Sequence, residues 1–434
     1  MSPAGNGYSN PQDGTPSRRA FLRSAAGASA VLLPAMFSTD GTALAQNGSG
    51  AASANDAITP FKVNVAEAAL DDLKSRLGRT RFPEKETVAD WSQGVPLRNA
   101  RLVTDYWRTQ YDWRRFEHTV NALPQFRTRI DGLNIHFIHV RSRHANALPI
   151  LLTHGWPGSF VEFLEVIAPM TDPTAHGGKP GDAFDVVIPS LPGFGFSEKP
   201  TAPGWRLPRI AAAWAVLMKR LGYRHYVAQG GDWGAGVTTW MGKQRPHGLA
   251  AIHLNLPILF PPPPPGPDGY SDAEKAALAQ LERYGTDGIG YAAIQGTRPQ
   301  TIGYALADSP AGQAMWIYEK FQAWSDTVGD PFAAIALDRI LDDISLYWLT
   351  DTAASSARLY RESFYTDFKR MGLALPVAVS VFKGDLFTPP KIWGDRSYSD
   401  LVYWNDVPKG GHFAAFEQPA LFVDEIRTSL RDFR

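Results

Sequence analysis

Five residues near the middle of the chain, Gly230-Gly231-Asp232-Trp233-Gly234, restrict its architecture more than any other stretch. They follow a short apolar run at 226–229 and precede a segment, 235–241, that suits a helix. Glycines on both sides of one reactive residue let a strand turn sharply into a helix, and such an elbow lifts the central side chain above the end of a sheet. A strand that leads directly into a helix is also the building unit of a parallel sheet, because parallel neighbours need a crossover connection.

The rest of the chain repeats that rhythm. Apolar runs at 148–153, 184–189, 226–229, 249–255 and 376–383 are separated by helical text, which predicts an α/β fold with a mostly parallel sheet covered on both faces. Between 257 and 373 the strand rhythm lapses, and this stretch reads as a helical cap inserted over the carboxyl ends of the strands. Its proline run, Pro261 to Pro265, reads as a rigid connector. Ahead of the core, Leu70, Leu73 and Leu77 share one helical face, and runs on either side of Asp131-Gly132 predict a tight hairpin where the sheet begins. The expected organisation is a leader over 1–45, a linker over 46–57, an N-terminal extension wrapping the core over 58–145, core over 146–256, cap over 257–373 and core again over 374–434.

The elbow carries a carboxylate where an esterase would carry serine. An aspartate in its ordinary range is ionised at neutral pH and needs no base to attack carbon, so Asp232 points to substrates that can be alkylated rather than acylated. The ester so formed needs a base that activates water. His412, in Lys409-Gly410-Gly411-His412-Phe413, lies in what reads as a glycine-rich loop after the last predicted strand. Nucleophile, acid and histidine follow one another in that order along chains of this architecture, which selects Asp385 at the end of run 376–383, with Asp395 and Asp400 as nearby competitors. The turn Thr153-His154-Gly155-Trp156-Pro157-Gly158 follows another strand end. There the backbone N–H of Trp156, together with that of Trp233, is placed to receive a developing oxyanion, and both indoles to line the substrate pocket. His154 itself reads as structural.

These motifs resemble the microsomal-type epoxide hydrolases of the α/β-hydrolase superfamily. The likeness rests on HGWPGS, GGDWG and PKGGHFAAFEQP in that order, and on an N-terminal segment with Tyr111-Asp112-Trp113-Arg114 and Phe126, so it covers nearly the whole chain beyond the leader. It implies ring opening of an apolar epoxide by Asp232 while two cap tyrosines hydrogen-bond the ring oxygen, followed by hydrolysis to a diol. Tyr291 and Tyr360 match those two positions. Asp385 stands where some members carry Glu and others Asp. The rival chemistry on the same elbow is haloalkane dehalogenation, and a non-catalytic ligand-binding member of the fold is the alternative from another class.

Composition narrows the partners. Lys plus Arg and Asp plus Glu both number 43 in 434 residues, which leaves no net field for nucleic acid, and an uncharged small molecule with water is the expected partner set. The absence of cysteine excludes thiolate sites, and His136 and His139, three apart on a strand, face opposite sides, so neither a cofactor nor a metal is expected. The oligomeric state is left open, a homodimer included. Arg18-Arg19-Ala20-Phe21-Leu22, the apolar run 25–37 and Ala43-Leu44-Ala45 have the order of a twin-arginine leader with a cleavage site. The run is too short to span a bilayer, which needs ~20 residues, so export to the periplasm or beyond, without lasting membrane insertion, is the expectation.

Overall fold

In the computed structural model the described residues are 57–261, 263, 269–367 and 372–434. The chain divides into Met1–Ala51 and Ala52–Arg434. The expected leader, and all of the linker except Ala57, lie outside the described residues, and so does most of the proline run.

Nine strands form one sheet in the order β1-β2-β3-β5-β4-β6-β7-β8-β9. They are β1 (Ile58–Pro60), β2 (Gln125–Ile130), β3 (Leu133–Val140), β4 (Leu148–Thr153), β5 (Phe184–Pro189), β6 (Tyr226–Gly230), β7 (Leu249–Leu254), β8 (Val377–Gly384) and β9 (Leu401–Gly411). The pairs from β5 through β9 are parallel, whereas β1, β2, β3 and β5 pair antiparallel. The α/β-hydrolase architecture with a mostly parallel sheet is therefore present, with an antiparallel flank. The central strands are buried along almost their whole length, as continuous apolar runs require when helices cover both faces.

The hairpin forms at Asp131-Gly132, where both residues take positive φ (49° and 88°), the signature of a two-residue turn that matches strand twist. The sheet does not begin there, however. β1 adds outside β2, and its three residues end in Pro60, which an edge strand tolerates because the missing N–H faces no partner. A second difference lies at the other edge: Lys409-Gly410-Gly411 is the end of β9 rather than a loop, so His412 projects directly from a strand terminus.

Among the described residues between β7 and β8 the regular elements are helical, with helices at Asp272–Arg283, Gly290–Thr297, Pro299–Asp308, Pro310–Trp324, Leu337–Leu349 and Ala353–Ser363. The N-terminal region grips one of them. Tyr106, Trp107 and Tyr111 bond Asp338 (2.9 Å), Ser345 (2.9 Å) and Asp342 (2.8 Å) on helix Leu337–Leu349, and Arg115 pairs with Asp342 at 2.5 Å. That helix in turn holds the turn after β4, through Ser159 Oγ donating to Asp343 (2.6 Å) and Tyr347 O–H donating to the Gly158 carbonyl (2.8 Å). One helix of the cap is thus fastened both to the N-terminal region and to the turn after β4.

Candidate active site

Four parallel strands end along the same edge of the sheet and each delivers one part. Trp156 follows β4, Asp232 follows β6, Asp385 follows β8 and His412 follows β9, at the carboxyl edge where such sheets bind ligands. Asp232 opens helix Asp232–Gln244 with φ of 48°, a left-handed conformation that a non-glycine residue adopts only where the surroundings enforce it. The elbow depends on close approach. A Cβ on Gly234 would lie 1.9 Å from the Thr153 carbonyl oxygen, and one on Gly155 would lie 2.1 Å from Asp232 Oδ1.

The Asp232 carboxylate is held at both ends. Its Oδ1 accepts the Trp156 backbone N–H at 2.8 Å, and its Oδ2 lies 3.4 Å from His412 Nε2. On the far side of the imidazole, Nδ1 donates to Asp385 Oδ1 at 2.9 Å, and that oxygen also accepts the Leu386 N–H at 2.7 Å. Burial by itself would lower the His412 pKa, but the carboxylates on either side overcome it and hold the imidazole well above its usual value. The competing acids stand apart from this array: Asp395 pairs with Lys391 on its own helix (2.5 Å), and Asp400 offers its carbonyl to the Val377 N–H (2.8 Å).

Over the nucleophile lies an apolar cavity of about 260 Å³ lined by Asp232, Trp233, Tyr284, Tyr291, Tyr360 and hydrophobic residues of the cap and of the loops after β7 and β8. Tyr291 stacks on Trp156, with ring centroids 5.0 Å apart and 10° between planes, and Tyr360 meets Trp233 edge-on at 4.6 Å. The two tyrosine rings are 5.7 Å apart, so both phenols face the same space. Burial, together with the negative Asp232 nearby, holds both phenols well above their usual pKa, which keeps them as O–H donors at neutral pH. Trp233 is the second residue of the elbow helix, and its ring forms part of the pocket wall.

Two other histidine readings follow from their partners. His154 donates from Nδ1 to the Gly155 carbonyl (3.0 Å) and accepts the Leu191 N–H at Nε2 (3.1 Å), and burial lowers its pKa to about 4, so it is a neutral brace. His136 faces Ser190 and Gln125, whereas His139 faces Tyr223. Among the described residues no group of three or more His, Asp or Glu could hold a metal ion.

Several neighbours were not legible beforehand. Tyr284 places its hydroxyl 3.1 Å from that of Tyr291, from the start of a π-helical turn of the kind often found at functional sites. Their separation of seven residues, two helical turns, is the signal that could have linked them. Lys320 is buried with its Nζ 4.4 Å from the Tyr291 ring centroid, and nothing in its local sequence marks it. Glu162 lies behind the nucleophile, beside Gly158.

Comparison with known proteins places these features in company. A family model described as "Epoxide hydrolase N terminus" matches residues 58–163, and one described as "alpha/beta hydrolase fold" matches 149–287. A protein of Stigmatella aurantiaca that bears a provisional epoxide hydrolase name is 62% identical over 377 residues, spanning 87% of this chain and 86% of that relative. Epoxide hydrolase 1 of Oryctolagus cuniculus is 33% identical over 401 residues, spanning 86% of this chain and 88% of the rabbit protein. Among solved structures, the epoxide hydrolase of Aspergillus niger superposes with a TM-score of 0.77 at 36% identity, covering 88% of this chain and 97% of the other.

Proposed function

We propose that this chain, which belongs to the epoxide hydrolase family of the α/β-hydrolase fold, converts apolar epoxides and water to vicinal diols through an ester on Asp232. The observation that carries the reading is the Asp232 carboxylate itself. One oxygen is bound by the Trp156 N–H, the other faces His412, and the same carboxylate floors an apolar cavity that also holds two phenols.

In the first half-reaction Oδ2 attacks a ring carbon and the C–O bond of the epoxide breaks. Tyr291 or Tyr360 gives its proton to the departing oxygen, since an alkoxide forming in an apolar pocket needs a donor as charge develops. Ester formation removes the charge of Asp232. One of the two interactions that raised His412 is then gone, so its extra proton passes to the phenolate and a neutral imidazole is left to act as the base.

In the second half-reaction His412 takes a proton from water, and the hydroxide adds to the ester carbon. The oxyanion falls on Oδ1, where the Trp156 N–H already lies. Collapse releases the alkyl oxygen, protonated by His412, as the diol. Asp232 is left as a carboxylic acid whose proton returns to His412, restoring the carboxylate and the charged imidazole. Water and epoxide are consumed and the protein returns unchanged. Asp385 holds the imidazole in the required tautomer and supports its positive charge. The phenols favour epoxide opening over dehalogenation, because a halide leaves without a proton.

One turnover in ¹⁸O-labelled water tests the route. The first diol should carry an unlabelled oxygen drawn from Asp232, and the label should appear in the carboxylate. A labelled first diol would mean direct attack by water and would end the covalent reading. His412→Gln should accumulate an alkylated protein detectable by mass spectrometry, because attack survives while water activation is lost. Export is part of the same proposal and rests on Arg18-Arg19-Ala20-Phe21-Leu22 and the apolar run behind it. Replacing both arginines by lysine should retain the protein in the cytoplasmic fraction.

A further inference from the structure

Asp232 stands between two cavities, and among the described residues it is the only one that lines both. In front is the apolar cavity with the tyrosines. Behind is a chamber of about 20 Å³ lined by Thr153, Gly155, Glu162, Asn255 and His412, with Phe163, Phe413 and Phe422 closing it. His412 faces the chamber and is absent from the walls of the apolar pocket. A volume of that size holds one water, which requires at least ~10–15 Å³ and two to four polar partners.

One of the polar groups, Thr153, has no other evident task, and the Glu162 carboxyl has one backbone partner, Ser159. Thr153 is fully buried and its hydroxyl has no hydrogen-bond partner in the protein. Glu162 directs its carboxyl to the bare face of Gly158, where a Cβ would lie 1.6 Å from Oε1, so the glycine makes room for it. Resting on the covalent reading, we infer that this chamber is a second binding site, specific for the single hydrolytic water, and that Glu162 is its positioning residue.

The hydrogen-bond count closes. The water donates one hydrogen to His412 Nε2 and the other to a Glu162 oxygen, and accepts from the Thr153 hydroxyl. Its remaining lone pair is then free for the ester carbon of Asp232. Enclosure, followed by the nearby Asp343, pushes the Glu162 carboxyl well above the usual carboxylate range, so it serves as an acceptor without a third negative charge beside Asp232 and Asp385. Water reaches the ester from behind, while the alkyl group still fills the pocket in front.

Rapid-quench mass spectrometry with styrene oxide as the probe separates ester formation from ester decay. In Glu162→Met the ester should form within about threefold of the wild-type rate yet decay about 10²-fold more slowly, the penalty expected for a misplaced reactant. Glu162→Gln keeps a carbonyl acceptor and should recover most of the decay rate. Thr153→Val, which removes only the hydroxyl, should slow decay about tenfold and leave formation intact, a hydrogen bond's worth at the transition state. Decay in Glu162→Met within threefold of wild type, an equal slowing of both steps, or failure of Gln to rescue would each overturn the inference. If Glu162→Met does not fold, unchanged decay in Thr153→Val overturns it. A wild-type enzyme that forms no ester at all would instead refute the covalent reading.

Discussion

Replacing Tyr291 by Phe removes one hydroxyl and little else, which makes it a clean measure of what that proton contributes. The ring remains stacked 5.0 Å from Trp156 and under the Lys320 ammonium, so packing is retained. At the transition state for ring opening the phenol donates to an oxygen gaining negative charge, and hydrogen bonds to charged groups contribute about 1.5–3 kcal/mol. With about 1.4 kcal/mol per factor of ten, ester formation should slow roughly 10- to 150-fold. Ester decay, governed by His412 and water, should change little. The variant should also lose up to about 1 kcal/mol of stability, because the partly buried Tyr284 hydroxyl forfeits its partner at 3.1 Å. Stopped-flow tryptophan fluorescence is suited to the measurement, since Trp156 and Trp233 line the two cavities beside the nucleophile. Tyr360→Phe should slow ester formation similarly, and the double variant should be slower than either. Ester formation within threefold of wild type in Tyr291→Phe, or equal slowing of both steps, would refute the assignment of this phenol as a donor.

Gly155→Ala introduces a methyl 2.1 Å from Asp232 Oδ1 and must displace the carboxylate from the Trp156 N–H, so turnover should fall by about 10²–10³, as when an oxyanion donor is lost. A folded variant, judged by circular dichroism, that keeps a tenth of its activity would contradict this. Asp343 tests the anchoring of the cap: burial raises its carboxyl to about 8, against about 3.9 unfolded, so its protonated form stabilises the fold fully below pH ~4 and that contribution fades as pH rises through 8. Asp343→Asn should therefore gain in melting temperature relative to wild type between pH 6 and pH 9. Parallel melting curves across that range would show that Asp343 is ionised throughout.

Much of this site was legible because its parts sit at strand ends, where apolar runs stop abruptly at glycine, aspartate or histidine. The run at 184–189 coincides with β5 to the residue, and Asp131-Gly132 turns as its composition requires. The edge strands were not legible, for a physical reason. β1 has three residues, and β9 is largely half-exposed along Leu401–Asn405 and contains Pro408 and two glycines, so neither presents the apolar run that a doubly covered strand must. Glu162, Tyr284 and Lys320 escaped because single polar residues on helices are ordinarily solvated. Their importance arises only when the cap and the turn after β4 bring them within reach of Asp232 and Tyr291.

The double fastening of helix Leu337–Leu349 has a consequence for traffic. A lid that swung away as one body would break the links to Tyr106, Trp107, Tyr111 and Arg115 on one face and to Ser159 and Gly158 on the other, and would unseat the oxyanion turn with each cycle. Passage is left to the opposite rim, where Leu256 to Pro261, Phe364 and Phe387 edge the apolar cavity. Slender, greasy molecules should slip past that doorway readily, and bulky ones should be turned back before the chemistry has any say.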